Sequence, residues 1–321
     1  MTIVSGRAVP AVSNSTRFSR KPAPFAAFLL ALWLALIAGV TATPAGAAEK
    51  SYTVTSADGV AIAVQEAGRA DGQPIVFIHG LLGSHLNWEK QLQSAALSNY
   101  RLITFDLRGH GVSGKPESAE AYRDGRLWAG DLRAVLQGAK ARKPILVGWS
   151  LGGAVITNYV AAYGDDDLGG LVYVGGVVEL KPDLLQPQPK AYAGLASQDL
   201  KTHLDAVRDF LSLCFETQPD RRSFERLLAN AATASWLMTR SVPSMTVSAA
   251  DALPAIKVPV LMLYGEQDAL VKAQASLARA KALNPAIRST VYAKSGHAPF
   301  LEEADRFNED LASFSKTVPL P

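Results

Sequence analysis

Two hydrophobic patterns alternate along the chain from residue 51 onward. Short apolar runs rich in β-branched residues are separated by longer amphipathic stretches. This alternation predicts an α/β protein with a mostly parallel sheet covered by helices on both faces. Two of the runs, ILVG at 145–148 and VLML at 260–263, are continuously apolar. We expect such runs to form inner strands, because a parallel strand is buried on both faces.

The apolar runs and amphipathic stretches define thirteen elements. The predicted strands are Ser51–Thr55, Val60–Gln65, Pro74–Ile78, Arg101–Phe105, Ile145–Val147, Gly170–Val174, Val258–Leu263 and Ile287–Tyr292. The predicted helices are His85–Leu97, Ala119–Gly138, Leu151–Tyr163, Val271–Leu283 and Leu301–Ser315.

The alternation stops between Val178 and Pro254. A Pro- and Gln-rich segment, KPDLLQPQPK, leads there into two or three helical stretches before the next strand. Long connections in such folds usually serve function. We therefore expect residues 179–254 to form a helical cap inserted into a core domain of residues 48–178 and 255–321. The alternative is that these helices merely pack on the core.

The first 47 residues have the three parts of a secretory signal peptide. Their basic residues, with no acidic residue among them, are Arg7, Arg17, Arg20 and Lys21. The apolar run Phe25–Val40 follows, and then the small-residue triplet AGA that ends at Ala47. This pattern predicts export to the periplasm or medium, with cleavage after Ala47. The alternative is an uncleaved membrane anchor through residues 25–42, which is slightly short of the ~20 residues that span a bilayer.

Charge and cysteine content exclude several classes of function. Without the four basic residues of the leader, 28 of the 32 basic residues remain against 29 acidic ones, which gives a net charge of about −1. Because the remaining chain has no basic cluster, we expect no nucleic-acid partner. We infer no stable protein partner. A membrane is a partner only if the leader stays uncleaved. Cys214 is the only cysteine, and its apolar neighbours indicate a buried filler. The chain has no C-x-x-C or H-E-x-x-H pattern, so we expect no zinc site. The serine mechanism proposed below for this sequence requires no metal and no cofactor.

The candidate nucleophile is Ser150, in the sequence GWSLG at residues 148–152. This G-x-S-x-G pattern lies directly between the apolar strand ILV and an amphipathic helix. Glycines on both sides allow a sharp strand-to-helix turn that projects the serine from the sheet edge. The helix N-terminus then brings backbone N–H groups and positive potential close to the reacting oxygen.

A serine hydroxyl needs a base to take its proton, and histidine is the side chain best matched to neutral pH. His297 is favoured because its loop, SGHAP, follows the last strand and precedes the final helix. Loops at that edge of a doubly wound sheet lie near the site. His203 of the cap is the next candidate.

The base in turn needs a carboxylate to orient it. Asp268 is favoured because it lies just beyond the strand VPVLMLY and gives the chain order Ser, Asp, His. Glu266 in the same loop and Glu179 after another strand are competitors. Asp106 also ends a strand, but the LRGHG that follows it indicates a loop-organising role.

Backbone N–H groups would stabilise the oxyanion formed by attack on an acyl carbon. Leu151, after the nucleophile, and Leu81, after a strand ending in His79-Gly80, are the predicted donors. Candidate substrate-contacting residues are Trp149 beside the nucleophile and an apolar set in the cap. That set comprises Phe210, Leu211, Trp236, Leu237 and Met238, which are equally compatible with the core of the cap.

Five segments in this order resemble the α/β-hydrolase family: FIHGLLGS, FDLRGHGVSG, GWSLGG, YGEQDALV and SGHAPFLEE. The resemblance spans residues 51 to 316 and is closest to the esterase and cofactor-free perhydrolase branches. It implies the triad Ser150, Asp268 and His297, and the oxyanion donors given above. The chain also resembles epoxide hydrolases and haloalkane dehalogenases, but those enzymes need an aspartate where this chain has Ser150.

The resemblance implies a serine hydrolase that cleaves a small or medium, apolar carboxylic ester through an acyl-enzyme. Two alternatives use the same triad: a perhydrolase or haloperoxidase without a cofactor, and a hydrolase of carbon–carbon bonds. A third, from another class, is a non-catalytic ligand-binding protein on the hydrolase fold.

Overall fold

The computed structural model describes residues 50–318 of the 321-residue chain. The predicted signal peptide and its membrane-anchor alternative fall on residues outside that range and stay predictions. Within residues 50–318, no helix has the length and apolar character needed to cross a bilayer.

The described residues form one eight-stranded sheet in the order β1-β2-β4-β3-β5-β6-β7-β8. The strands are β1 Lys50–Thr55, β2 Ala61–Gly68, β3 Pro74–Ile78, β4 Arg101–Phe105, β5 Ile145–Trp149, β6 Gly170–Val174, β7 Val260–Gly265 and β8 Arg288–Tyr292. Strand β2 pairs antiparallel with β1 and β4, and every other pairing is parallel. The predicted α/β class and mostly parallel eight-stranded sheet are confirmed.

Burial follows the hydrophobic pattern. All residues of β3, β5, β6 and β7 are buried, as expected for strands covered on both faces. Strand β7 begins two residues later than predicted, at Val260. The reason is local: Pro259 has no N–H, and the N–H groups of Lys257 and Val258 donate to the Asp165 carboxylate at 2.6 and 2.9 Å.

Within residues 50–318, twelve α-helical segments accompany the sheet. They are α1 Glu89–Leu92, α2 Glu120–Arg123, α3 Gly125–Gly138, α4 Leu151–Tyr163, α5 Pro189–Leu195, α6 Leu200–Leu213, α7 Arg221–Ala231, α8 Trp236–Ser241, α9 Ala249–Ala255, α10 Ala273–Leu283, α11 Pro299–Glu302 and α12 Ala304–Ser315. Short 3₁₀ helices are His85–Trp88, Ala95–Leu97 and Val242–Ser244.

Three of the predicted helices are interrupted. The stretch predicted as one helix from His85 to Leu97 is a 3₁₀ turn, α1 and a second 3₁₀ turn. Asp124, with ψ of 105°, separates α2 from α3, and its carboxylate caps α3 by accepting from the Arg126 N–H. Glu303, with φ of −119° and ψ of 52°, separates α11 from α12.

The cap region, residues 179–254, carries five helices, α5 to α9, where the sequence predicted two or three. The last of them, α9, packs on α4 of the core. The cap is also joined to the core near its start, where Leu185 forms an antiparallel bridge with Val271. This bridge explains why α10 begins at Ala273 and not at the predicted Val271.

Candidate active site

Ser150 occupies a strained turn between β5 and α4. Its φ and ψ are 53° and −115°, a conformation that residues other than glycine rarely adopt. Two hydrogen bonds join it to β6 and the loop after β6: the Ser150 N–H donates to the Val174 carbonyl at 3.0 Å, and the Val177 N–H donates to the Ser150 carbonyl at 3.0 Å. The turn is therefore imposed by the neighbouring strand β6 and the loop after it.

Two glycines allow the neighbouring chain segments to approach this turn. A Cβ atom on Gly80 would lie 2.9 Å from the Ser150 Cβ, and one on Gly152 would lie 2.4 Å from the Ile78 carbonyl oxygen. Both separations are shorter than a carbon atom permits. Glycine at these positions therefore brings the end of β3 against the nucleophile.

Asp268 and His297 form a buried pair. The His297 Nδ1 lies 2.7 Å from the Asp268 Oδ2, and the two residues are 1% and 5% exposed respectively. The other oxygen, Asp268 Oδ1, accepts the N–H groups of Leu270 and Val271, both at 2.8 Å. A carboxylate held this way fixes the imidazole with Nδ1 protonated, which leaves Nε2 as the proton acceptor.

The Nε2 atom of His297 is buried and has no hydrogen-bond partner among residues 50–318. Ser150 Oγ therefore does not donate to it in this conformation. A buried acceptor without a partner is unusual and needs an explanation. Catalytic hydrogen bonds are often long before substrate binds, so a free Nε2 is compatible with the predicted role of His297 as the base.

The loop that carries His297 lies against the turn that carries Ser150. The Trp149 indole Nε1 donates to the His297 carbonyl at 2.9 Å, and the two rings are 5.7 Å apart between centroids. A Cβ atom on Gly175, next to the Val174 that holds Ser150, would lie 3.0 Å from His297 Nδ1. The structure thus brings residues 150, 268 and 297 to one edge of the sheet.

The competing acids and base are placed elsewhere. Glu266 is exposed. Glu179 forms ion pairs with Arg279 at 2.9 Å and Lys181 at 2.8 Å. His203 is buried in the cap, where its Nδ1 lies 3.1 Å from the Leu195 carbonyl. None of the three contacts the Asp268–His297 pair through a hydrogen bond.

Two other histidines support the loops around the site. His79 and His110 each accept a backbone N–H at Nε2, from Leu107 at 2.9 Å and from Leu82 at 3.2 Å. Burial lowers the pKa of His79 to about 4 and that of His110 to about 3, so both are neutral acceptors near pH 7.

Asp106 organises the neighbouring loop, as the sequence predicted. Its Oδ1 accepts the His85 backbone N–H and contacts the His85 Nδ1, both at 2.8 Å, and its Oδ2 accepts the Val112 N–H at 2.9 Å. Burial by itself would raise the pKa of Asp106, but the hydrogen bonds from His85 and the nearby His79 lower it to about 2.

The predicted oxyanion donors flank the nucleophile. Within the described residues, neither the Leu81 N–H nor the Leu151 N–H donates to protein, so both are available to a ligand. The turn that presents Leu81 is fixed by Leu82, which has φ of 61° and donates to His110, and by a 3.0 Å hydrogen bond from the Gly83 N–H to the Gly80 carbonyl. Leu81, Ser150 and Leu151 line one cavity.

That cavity has a volume of about 180 Å³ and is mostly apolar. Its remaining lining residues are Val177, Leu180, Leu185, Tyr192, Phe210, Val242, Pro243, Leu270 and Val271. The set joins the loop after β6, the cap and the loop of Asp268. Charged side chains are absent from the described residues that line it. Such a cavity suits an uncharged, apolar group.

The substrate-contacting residues predicted from sequence lie largely outside this lining. Phe210 lines the cavity, but Trp149, Trp236 and Met238 do not. Trp236 stacks on His203 with ring centroids 4.1 Å apart, and Met238 is fully buried. Their predicted contact with substrate gains no support from these positions.

Sequence reasoning missed most of the cavity wall. Tyr192 lies in α5, whose sequence PKAYAGL has no clear apolar face, and Leu270 and Val271 had been placed at or near the start of a helix. The available signal was the position of Leu270 and Val271 directly after Asp268. For Tyr192 the sequence carries no such signal.

As for metal binding, no group of three or more His, Cys, Asp or Glu side chains suited to a metal ion occurs among residues 50–318. Cys214 is buried and unpaired by any disulfide, in agreement with its predicted role as a filler.

The chain belongs to the alpha/beta hydrolase family, whose model matches residues 75–310. The predicted resemblance is confirmed, and the chain is a hydrolase of this fold. The relatives described next include esterases and a haloperoxidase.

Two crystal structures and one sequence relative are closely similar. A protein from Burkholderia cenocepacia, provisionally named an aryl esterase, is 63% identical with a TM-score of 0.83, over 83% of this chain and 98% of that chain. An esterase from a Rhodococcus species is 29% identical with a TM-score of 0.78, over 84% of this chain and 99% of that chain. A non-heme haloperoxidase of Rhodococcus erythropolis is 30% identical over 81% of this chain and 98% of its own length.

Proposed function

We propose that this protein hydrolyses small or medium, uncharged carboxylic esters through an acyl-enzyme on Ser150. The observation that carries the proposal is the buried Asp268–His297 pair, whose free Nε2 lies at the sheet edge that also presents Ser150. The similarity to two esterases supports the same reaction class.

In the first half-reaction, His297 Nε2 takes the Ser150 proton while Oγ attacks the ester carbonyl carbon. The carbonyl oxygen becomes an oxyanion that accepts the N–H groups of Leu81 and Leu151. His297 then gives its proton to the alcohol oxygen as the bond from carbon to that oxygen breaks. Asp268 stabilises the imidazolium between these two transfers.

In the second half-reaction, His297 removes a proton from a water molecule that attacks the acyl carbon. Collapse of the second oxyanion breaks the bond to Ser150 Oγ, which recovers the proton from His297. The products are a carboxylic acid and the free serine. The protein's own groups carry every proton.

A second candidate is perhydrolysis, which the similarity to a non-heme haloperoxidase favours. Hydrogen peroxide would then replace water in the second half-reaction, and the acyl group would leave as a peracid. Among the described residues that line the cavity, none is charged and could select one of these small neutral nucleophiles over the other. For the alternatives of carbon–carbon cleavage and non-catalytic ligand binding, we find no specific support.

The test is a series of p-nitrophenyl esters of increasing acyl length, assayed with the wild-type protein and Ser150→Ala, with and without hydrogen peroxide. We expect activity on short and medium chains, a fall once the acyl group exceeds the cavity, and loss of at least about 1,000-fold in kcat for Ser150→Ala. Peracid formed only by the wild type would support the second candidate. Equal activity of both proteins would remove Ser150 from the mechanism.

A further inference from the structure

The cavity contains one polar side chain besides the nucleophile. Among the described residues that line it, only Ser150 and Tyr192 carry polar side chains, and the rest are aliphatic, aromatic or proline. An isolated hydroxyl in such a wall is expensive to desolvate unless a ligand satisfies it. Tyr192 is therefore a candidate for recognising substrate.

The phenol is positioned but has no protein partner. The Tyr192 ring packs edge-on against Phe210 with centroids 6.0 Å apart, and both residues line the cavity. Within residues 50–318, the Tyr192 hydroxyl has no hydrogen-bond partner. Tyr192 is only half-buried and its hydroxyl is not one of the fully buried polar atoms without a partner, so the hydroxyl is open to solvent in the cavity. The hydroxyl is therefore held in place by packing and keeps its hydrogen-bonding capacity.

Tyr192 lines the same cavity as Ser150, and its phenol stays protonated near neutral pH. Burial, with smaller contributions from Cys214 and Asp268, raises the pKa of Tyr192 to about 12. A phenol near pH 7 is then a neutral donor.

We propose that the Tyr192 hydroxyl donates a hydrogen bond to a second, neutral oxygen of the substrate, so that the site prefers esters bearing an ether, hydroxyl or carbonyl oxygen over pure hydrocarbon esters. This inference rests on the proposed ester hydrolysis at Ser150. Carboxylate-bearing substrates do not fit, because the lining offers no cation to a buried charge. In the proposed mechanism the ester carbonyl oxygen accepts the N–H groups of Leu81 and Leu151. The Tyr192 phenol can therefore donate to a different oxygen of the substrate.

The test compares ester pairs in which one oxygen replaces one methylene. For the acyl half the pair is p-nitrophenyl methoxyacetate and p-nitrophenyl butyrate, and for the alcohol half it is 2-methoxyethyl acetate and butyl acetate. The kcat/KM ratio of each pair is measured for the wild type and Tyr192→Phe. Dividing the wild-type kcat/KM ratio by the Tyr192→Phe ratio for the same ester pair cancels the difference in intrinsic reactivity between the two esters.

We expect Tyr192→Phe to lower the oxygen-to-methylene ratio about 3- to 10-fold for one pair, the usual effect of losing a neutral hydrogen bond. The pair affected identifies the half of the substrate that Tyr192 contacts. Tyr163→Phe is the matched control, because Tyr163 is 41% exposed on α4 and does not line the cavity. It should leave both ratios unchanged.

Unchanged ratios for both pairs in an active, folded Tyr192→Phe protein would overturn the inference and leave ester hydrolysis intact. An equal loss on all four esters would also overturn it, since that result indicates a general effect on the site. A wild type inactive on all four esters, and on the longer p-nitrophenyl series, would instead count against the proposed function.

Discussion

At the scale of single residues, the Asp268 carboxylate is the group that fixes the orientation of the His297 ring. Asp268 uses one oxygen for His297 and the other for two backbone N–H groups. Its carboxylate is thus held from both sides, and it can hold the ring in one tautomer. Glu266, two residues earlier in the same loop, is exposed and lacks these contacts.

This difference predicts the outcome of two matched substitutions. Asp268→Asn should lower kcat by about 1,000- to 10,000-fold, because an amide at this position favours the wrong tautomer of the base. Glu266→Gln should stay within about 2-fold of the wild type, as is usual for an exposed side chain far from the reacting atoms. The measurement is kcat for the best p-nitrophenyl ester, with melting temperatures to confirm folding. Similar losses in both variants would remove Asp268 as the orienting acid.

The sequence predicts a residue's role where a local pattern specifies that role. Ser150 lies in G-x-S-x-G, and His297 and Asp268 each follow a buried strand. Side chains whose role depends on tertiary packing were not readable. Trp236 stacks on His203, and the Met238 side chain packs next to Gly109. The packing of α8 determines both contacts.

At the scale of elements, the close approach of β3 to α4 determines the geometry of the nucleophile. Gly152, the second residue of α4, lies so near the end of β3 that a Cβ atom would be 2.4 Å from the Ile78 carbonyl oxygen. That atom is backbone and cannot rotate away. Any side chain here must push α4, and Ser150 with it, away from the sheet.

Two glycine-to-alanine substitutions in helices should therefore have opposite effects. Gly152→Ala should destabilise the fold by about 1–3 kcal/mol, the usual cost of overpacking, and reduce activity. Gly130→Ala in α3, where the nearest atom to a Cβ is the Tyr163 hydroxyl at 3.9 Å, should stabilise by about 0.5–1 kcal/mol. Urea unfolding of each variant gives both values. A Gly152→Ala protein as stable and active as the wild type would contradict the account of the turn.

Element types were predictable because the apolar runs are continuous and well separated, and strand ends agree within about three residues. Helix continuity was less predictable. Asp124 interrupts a stretch whose sequence otherwise predicts one helix, because its carboxylate caps α3 by accepting the Arg126 N–H. Helix propensity alone does not distinguish an interior aspartate from a capping one.

At the scale of the whole molecule, the cap and the core share one cavity wall. The segment before α5 is hydrogen-bonded to the loop of Asp268: the Gln186 N–H donates to the Leu270 carbonyl at 2.9 Å, and the Lys272 N–H donates to the Leu184 carbonyl at 2.9 Å. The sequence predicted an inserted cap but could not predict this strand-like contact, which depends on residues about 85 positions apart. The same contact joins the cap part of the cavity wall to the loop that holds Asp268.

The most direct test of the central claim is labelling with a fluorophosphonate, followed by peptide mass spectrometry. We predict one phosphonyl group per chain, located on Ser150, with labelling abolished in Ser150→Ala and strongly slowed in His297→Ala. A folded wild-type protein that remains unlabelled, or one labelled at another serine while Ser150→Ala reacts normally, would contradict the assignment of Ser150 as a nucleophile activated by His297.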